Sequence, residues 1–185
     1  KDAGASEVLN KWVFDSLLDN DVVTGDDIPN LAKAWSFSPD RKQITFQLDE
    51  KAKWFDGKPV TAEDVQFSFE VYALPGVNNP FRKSQTEAIE KIEILKPDLL
   101  LFHLRNSQFQ HFEFIGSLMI LPKHIYFRQD PKAMENNEYT QLPKGSGPYF
   151  VKSLNKGDRT VLERNPNWWA GHLKQNIGAY NFDRI

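Results

Sequence analysis

Apolar residues recur along this chain with two different periods, and the switches between them predict where helices and strands lie. Between Ser6 and Asp19, Val8, Leu9, Trp12, Val13 and Leu17 fall three or four residues apart, the spacing that stacks side chains on one helical face. Ser6 stands where its hydroxyl can accept a backbone N–H as an N-cap, so the pattern predicts a helix with one buried stripe. Asp26, Asp27, Pro29 and Asn30 interrupt it. Trp35-Ser36-Phe37 and Ile44-Thr45-Phe46-Gln47-Leu48 then alternate apolar with polar around Ser38-Pro39-Asp40-Arg41, which predicts a hairpin with one face buried.

The next segment fits both periods. Val65, Phe67, Phe69 and Val71 alternate as in a strand, while Val65, Phe69 and Tyr72 share a helical face. Thr61-Ala62-Glu63-Asp64 ahead of them resembles a capping box with Asp in place of Glu, and this favours a helix. Pro75 to Pro80 reads as a loop. Ile89 to Leu95 and Leu99 to Leu104, joined by Pro97-Asp98, predict a second hairpin, and His111 to Gly116 a short helix. Leu118 to Leu121 predicts a short buried segment, and Ala133 to Thr140 a polar connection. Tyr149 to Leu154 and Thr160 to Arg164 flank Asn155-Lys156-Gly157-Asp158 as a third hairpin. No internal repeat is visible. The fold class expected is α+β.

Composition narrows the function more than the fold. With 185 residues, 40% of them hydrophobic and 13% aromatic, the chain has material for a folded core. Its 23 basic and 25 acidic side chains leave a net charge of −2 with no long run of either sign. That disfavours a nucleic-acid groove or a membrane surface, both of which need a clustered positive field. No stretch approaches the roughly 18 apolar residues of a spanning helix. The absence of cysteine removes disulfides, thiol nucleophiles and cysteine zinc sites. No leader opens at Lys1, so the protein is expected either in the cytosol or with a signal peptide outside this sequence.

Enzyme motifs are missing: there is no G-x-S-x-G, no phosphate loop, no H-E-x-x-H and no calcium loop. His103, His111, His124 and His172 lack the i, i+4 spacing that would set two imidazoles on one helical face, so no metal or other cofactor is expected. Glu63 and Asp64 read as first-turn acids favoured by the helix dipole rather than as an acid–base pair. Gly145-Ser146-Gly147-Pro148-Tyr149 reads as a tight turn, since Pro148 removes a donor that an anion would need. Trp54-Phe55, Phe81 and Trp168-Trp169 offer flat faces for sugar stacking, although large aromatics more commonly fill cores.

Taken in order, the motifs resemble the family 5 extracellular solute-binding proteins, the dipeptide- and oligopeptide-binding class of ABC importers. The resemblance rests on Ile28-Pro29-Asn30-Leu31-Ala32-Lys33-Ala34-Trp35, on Ile44 to Leu48, and above all on Lys53-Trp54-Phe55-Asp56-Gly57-Lys58-Pro59-Val60-Thr61-Ala62-Glu63-Asp64-Val65. Leu121-Pro122-Lys123-His124, Gly145 to Tyr149 and Val161-Leu162-Glu163-Arg164-Asn165-Pro166-Asn167-Trp168-Trp169 follow in family order. The tail from Asn176 to Ile185 resembles a subgroup of oligopeptide binders associated with microcin-type and other modified peptides.

The resemblance implies a periplasmic-binding-protein type II-like fold, in which two lobes close on a ligand and a smaller domain is inserted in the first. It implies residues 1–20 and 121–185 in the first lobe, 21–120 in the inserted domain, and a second lobe beyond this chain. It also implies that Asp2, Ala3 and Gly4 run along the ligand and that Phe81 approaches it, with Trp54 and Trp35 in the inserted domain's core and Gly57 and Gly147 in turns. The implied partners are a peptide ligand and the membrane permease subunits of an importer, in a periplasmic or extracytoplasmic setting. Alternatives left open are the same scaffold holding an oligosaccharide or metal chelate, a sugar hydrolase using paired carboxylates, and a structural or sensory module.

Overall fold

The structure, a computed structural model, describes residues 12–74, 80–127, 142–154 and 159–185. They divide into two compact units: one takes the described parts of Lys1–Asp15, Lys51–Pro59 and His124–Ile185, the other those of Ser16–Glu50 and Val60–Lys123.

In the second unit the two predicted hairpins form one antiparallel sheet. Strands β3 (Ala32–Phe37), β4 (Gln43–Leu48), β5 (Ile89–Lys96) and β6 (Leu99–Leu104) lie in the order β3-β4-β6-β5. The period-2 pattern sets the register. Ile44 faces Phe102 and Phe46 faces Leu100, so the inward residues of the two central strands meet on one side. Ile44, Phe46, Leu48, Leu100, Phe102 and Leu104 are all buried there. On the edge strand β3 only Ala32 is buried, with Trp35 half-buried and Phe37 exposed.

Helix α1 (Ala62–Ala73) settles the ambiguous segment, burying Val65, Phe69 and Tyr72 together with Phe67. The Phe69 ring meets Phe102 edge-on at 5.1 Å and Phe114 of α3 (Phe109–Ser117) at 6.2 Å, and Phe46 meets Phe102 at 5.7 Å. Edge-to-face aromatic pairs of this kind add to the area they bury. Between α1 and β5 runs α2 (Pro80–Glu87).

The helix expected up to Asp19 does not extend that far. Leu18–Asn20 is strand β1, paired with β2 (Asp27–Pro29), and Ser16 bridges to Met119. The carbonyls of Ser16 and Leu17 accept the N–H groups of Leu31 and Ala32. Long-range backbone bonds have overridden the helical spacing here, as tertiary context commonly does. The expected helix residues before Trp12 lie outside the described residues, as does the connection expected at Ala133 to Thr140.

In the first unit, β7 (Tyr149–Leu154) and β8 (Thr160–Arg164) form the third hairpin. Leu162 and Ile185 exchange backbone hydrogen bonds of 2.8 and 3.1 Å, which continues the pairing onto the far side of β8. Two short 3-10 turns, Trp169–His172 and Lys174–Asn176, follow the hairpin. Trp54, expected in the inserted domain's core, is buried in this unit rather than beside the four-stranded sheet. No helix among the described residues is long and apolar enough to cross a membrane.

Candidate functional site

Two local arrangements among the described residues adjoin, in sequence, the positions that the resemblance implies in ligand contact. The first fixes Trp12–Asp15, which begins eight positions after Gly4; Asp2, Ala3 and Gly4 themselves lie outside the described residues. Here the Gly145-Ser146-Gly147-Pro148-Tyr149 run lies against Trp12–Asp15. The Gly147 N–H donates to the Val13 carbonyl at 3.0 Å, and the Asp15 N–H donates to Ser146 Oγ at 3.2 Å. A Cβ on Gly145 would stand 2.1 Å from the Val13 oxygen and one on Gly147 2.6 Å from the Trp12 oxygen, so neither site has room for a side chain. Both glycines have ordinary negative φ. Gly147, within the bend at 146–148, thus also serves close backbone approach, while Gly57, at φ 83°, stands in a turn conformation that favours glycine.

Buried polar side chains complete this anchor. Trp169 Nε1–H donates to Asp15 Oδ2 at 3.0 Å, Asn165 Nδ2 donates to the Gly147 carbonyl at 3.2 Å, and the Asn165 N–H donates to the Pro148 carbonyl at 2.7 Å. Asp15, Ser146 and Asn165 are all buried. Buried polar groups persist when they are hydrogen-bonded, and here the Trp169–Asp15 and Asp15–Ser146 bonds join segments more than a hundred residues apart. The Gly147 N–H that an anion would need is already engaged by Val13, and Trp169 is buried rather than offered as a stacking face.

The second arrangement anchors α2, the helix that carries Phe81. The Phe81 side chain lies outside the described residues, whereas Ser84 to Glu87 of its helix are within them. Gln85 Oε1 lies 2.6 Å from His111 Nδ1 on α3, and His111 Nε2 lies 2.7 Å from Asn106 Oδ1. Gln85 and His111 are both buried, and burial holds the His111 imidazole below its ordinary pKa of 6.5. A neutral imidazole has one N–H donor and one acceptor, so one of the two amides must turn its NH2 towards the ring.

The start of α1 is held in a comparable way. Asp64 Oδ2 accepts the Thr61 N–H at 2.9 Å and the Thr61 hydroxyl at 3.0 Å, while Oδ1 accepts the Lys123 N–H at 2.8 Å. The shorter acid thus does the work of the usual Glu and also fixes the Leu121-Pro122-Lys123 stretch, helped by Ser68 Oγ accepting the Leu121 N–H. Glu63 points instead to the surface and pairs with Lys123 Nζ at 2.8 Å, so the two neighbouring acids do not converge.

The remaining histidines engage separately: His103 with Glu93 at 3.3 Å, His124 with Asp56 at 2.9 Å, and His172 with the Trp169 carbonyl at 2.7 Å. Burial would raise the Asp56 carboxyl, but the Lys58 N–H and His124 outweigh it and hold the group below its ordinary value. No cluster of three or more metal-ligating side chains occurs among the described residues. Gln85, Asn106 and Asp15 were not singled out by sequence reasoning, and Asn165 was read only as part of a motif without a role of its own. Only Asp15 carried a signal, standing after Val13-Phe14 and before Leu17-Leu18, whereas Gln85, Asn106 and Asn165 lie in polar stretches.

Comparison with known proteins places this geometry in context. The family model described as bacterial extracellular solute-binding proteins, family 5 Middle, matches residues 28–185. A binding protein of Brucella melitensis is 36% identical over 157 residues, covering 84% of this chain and 25% of that protein. The peptidoglycan-binding protein YepA of Agrobacterium fabrum is 34% identical with the same coverage. Among solved structures, the oligopeptide-binding protein AppA of Bacillus subtilis, in complex with a nonapeptide, aligns at TM-score 0.76 and 25% identity over 91% of this chain and 33% of its own. NikZ of Campylobacter jejuni, in complex with Ni(L-His), aligns at TM-score 0.75 and 28% identity over 86% of this chain and 31% of its own. The chain spans about a quarter of the length of the curated relatives it matches. The mixed helix and strand fold is that of the periplasmic binding proteins of type II, and family and fold together point to a binding protein rather than an enzyme.

Proposed function

The chain belongs to the bacterial extracellular solute-binding proteins of family 5, and on that premise we propose that the whole protein captures peptides outside the cytoplasm and delivers them to the permease of an ABC importer. The observation that carries the reading is the pairing of the family match over residues 28–185 with relatives and neighbours that hold peptides or peptidoglycan, namely YepA and AppA. The cargo class is oligopeptides and modified peptides, with peptidoglycan-derived peptides the first to try.

In this reading the ligand lies extended between two lobes of the whole protein. Main-chain hydrogen bonds supply affinity that does not depend on sequence, and hydrated pockets accept varied side chains. Asp2, Ala3 and Gly4 run along the ligand from the first lobe, and Phe81 approaches it from the inserted domain formed around residues 21–120. The anchor on α2 keeps the helix that carries Phe81 in place before ligand arrives, which reduces the ordering cost of binding. Closure around the ligand presents the permease with a surface that the open form lacks, biased by contacts the ligand makes in both lobes. The protein performs no chemistry on its cargo.

A second reading, a non-peptide solute on the same scaffold, is favoured by the NikZ neighbour with its nickel chelate. Calorimetric titration of the full-length protein with murein tripeptide, tetra-alanine and Ni(L-His) separates the two. Peptide capture predicts saturable binding of at least one of the peptides and none of Ni(L-His). Binding of Ni(L-His) with no response to either peptide contradicts it.

A further inference from the structure

Helix α2 is eight residues long, a length at which helices in water owe their persistence to packing rather than to propensity. Among its described side chains, Ser84, Gln85, Thr86 and Glu87, only Gln85 is buried. Burying an amide is unfavourable unless it finds partners, and the partner bonded to Gln85 Oε1 is the imidazole of His111, twenty-six positions along the chain. The other ring nitrogen is held by Asn106. The ring is thus fixed from one side by the loop that leads into α3, and from the other it grips the one buried polar side chain described on α2.

We infer that His111 is a positioning residue: through Gln85 it clamps α2, the carrier of Phe81, onto α3, and thereby sets the affinity of the ligand site that α2 borders. The second half of this inference rests on the peptide-capture reading. Charged residues on the packed elements are Arg82, Lys83 and Glu87 of α2, Glu63, Asp64 and Glu70 of α1, Arg105 of the loop and Glu113 of α3 itself. The hydrogen bonds of the ring among the described residues go to the two amides. Arg105 Nε donates instead to the Glu87 carbonyl at the end of α2, a second and exposed tie across the same junction.

Two isosteres of the imidazole separate a clamp from simple packing. Asparagine places its polar atoms at the reach of Nδ1, so His111→Asn can keep the bond to Gln85 while losing Asn106. Glutamine reaches as far as Nε2, so His111→Gln can keep Asn106 while losing Gln85. Hydrogen exchange of the full-length protein, read on the amides of residues 80–87, is expected to be unchanged in His111→Asn. It should be roughly three- to tenfold faster in His111→Gln and in Gln85→Leu, the range set by one lost hydrogen bond. Equal acceleration in the two His111 variants, or none in either, overturns the clamp.

Calorimetry of the same variants with murein tripeptide tests the other half. Weaker binding by His111→Gln and Gln85→Leu, with His111→Asn at wild-type affinity, supports the coupling to the ligand. Wild-type affinity in all three, alongside faster α2 exchange in the two that lose the Gln85 bond, leaves the clamp standing and overturns the placement of α2 beside the ligand.

Discussion

At Gly147 the absence of a Cβ lets two backbone segments touch, with the Trp12 oxygen 2.6 Å from where that carbon would be and the Val13 oxygen bonded to the Gly147 N–H. Backbone atoms cannot step aside as a side-chain tip can. Gly147→Ala is therefore expected to destabilise the protein by about 1–3 kcal/mol, the usual range for overpacking, read as a lower urea midpoint; an unchanged midpoint would remove the close-approach role. Asp64 carries three hydrogen bonds that begin α1 and fix the Lys123 backbone. Thr61→Ala removes one of them and should cost about 1 kcal/mol. Asp64→Ala removes all three and takes the acceptor from two part-buried N–H groups, so it should lower the melting temperature further than Thr61→Ala; the reverse order would refute the cap.

His111 and Asp56 both titrate below their ordinary values, 6.5 and 3.8 respectively, and both make the fold less stable in acid. For His111, burial favours the neutral ring. Once the pH falls below 6.5, the unfolded chain binds protons that the folded chain refuses, and stability declines until the folded value is reached. For Asp56 the same sign applies from 3.8 downwards, where protonation ends its bonds to Lys58 and His124. The melting temperature should fall as the pH drops from 7 to 5, and less steeply in His111→Asn. An identical slope in the two proteins would show that His111 takes no part.

Elements were readable where one face of the backbone meets one kind of environment. Ile44, Phe46 and Leu48 alternate because β4 is a central strand with a single buried side, and the same holds for Leu100, Phe102 and Leu104 of β6. The segment from Val65 to Tyr72 satisfied both periods because α1 buries Phe67 beside its main stripe, and Thr61 with Asp64 decided it. The failure lay at Val13 to Asn20. Val13 and Leu17 are wholly buried as a helical stripe would be, but the backbone groups of Ser16 and Leu17 are taken by Leu31, Ala32 and Met119, partners no local window contains. Phe102 sits at the meeting of β6, β4 and α1, in ring contact with Phe46 and Phe69. Phe102→Ala should cost about 3–5 kcal/mol, with far-ultraviolet circular dichroism showing a lower midpoint for the whole transition; a cost below about 1 kcal/mol would mean that this aromatic cluster is not the core.

For the molecule as a whole, family membership was readable because the stretch from Lys53 to Val65 combines a turn glycine, a buried tryptophan and a helix start whose spacing the fold constrains tightly. The candidate site was less so. His111 stands twenty-six residues from Gln85, and Asp15 lies 154 residues from Trp169, so the contacts that define both anchors have no local signature. Pattern reading finds elements from their neighbours in sequence, whereas these bonds join neighbours in space. What the protein does depends on cargo that the whole binding protein carries, and the direct test is to take full-length protein from its native compartment without added ligand, denature it, and identify released molecules by mass spectrometry. The account predicts short peptides, unmodified or bearing modified residues; an oligosaccharide or a metal chelate, recovered with no amino-acid polymer, would contradict it.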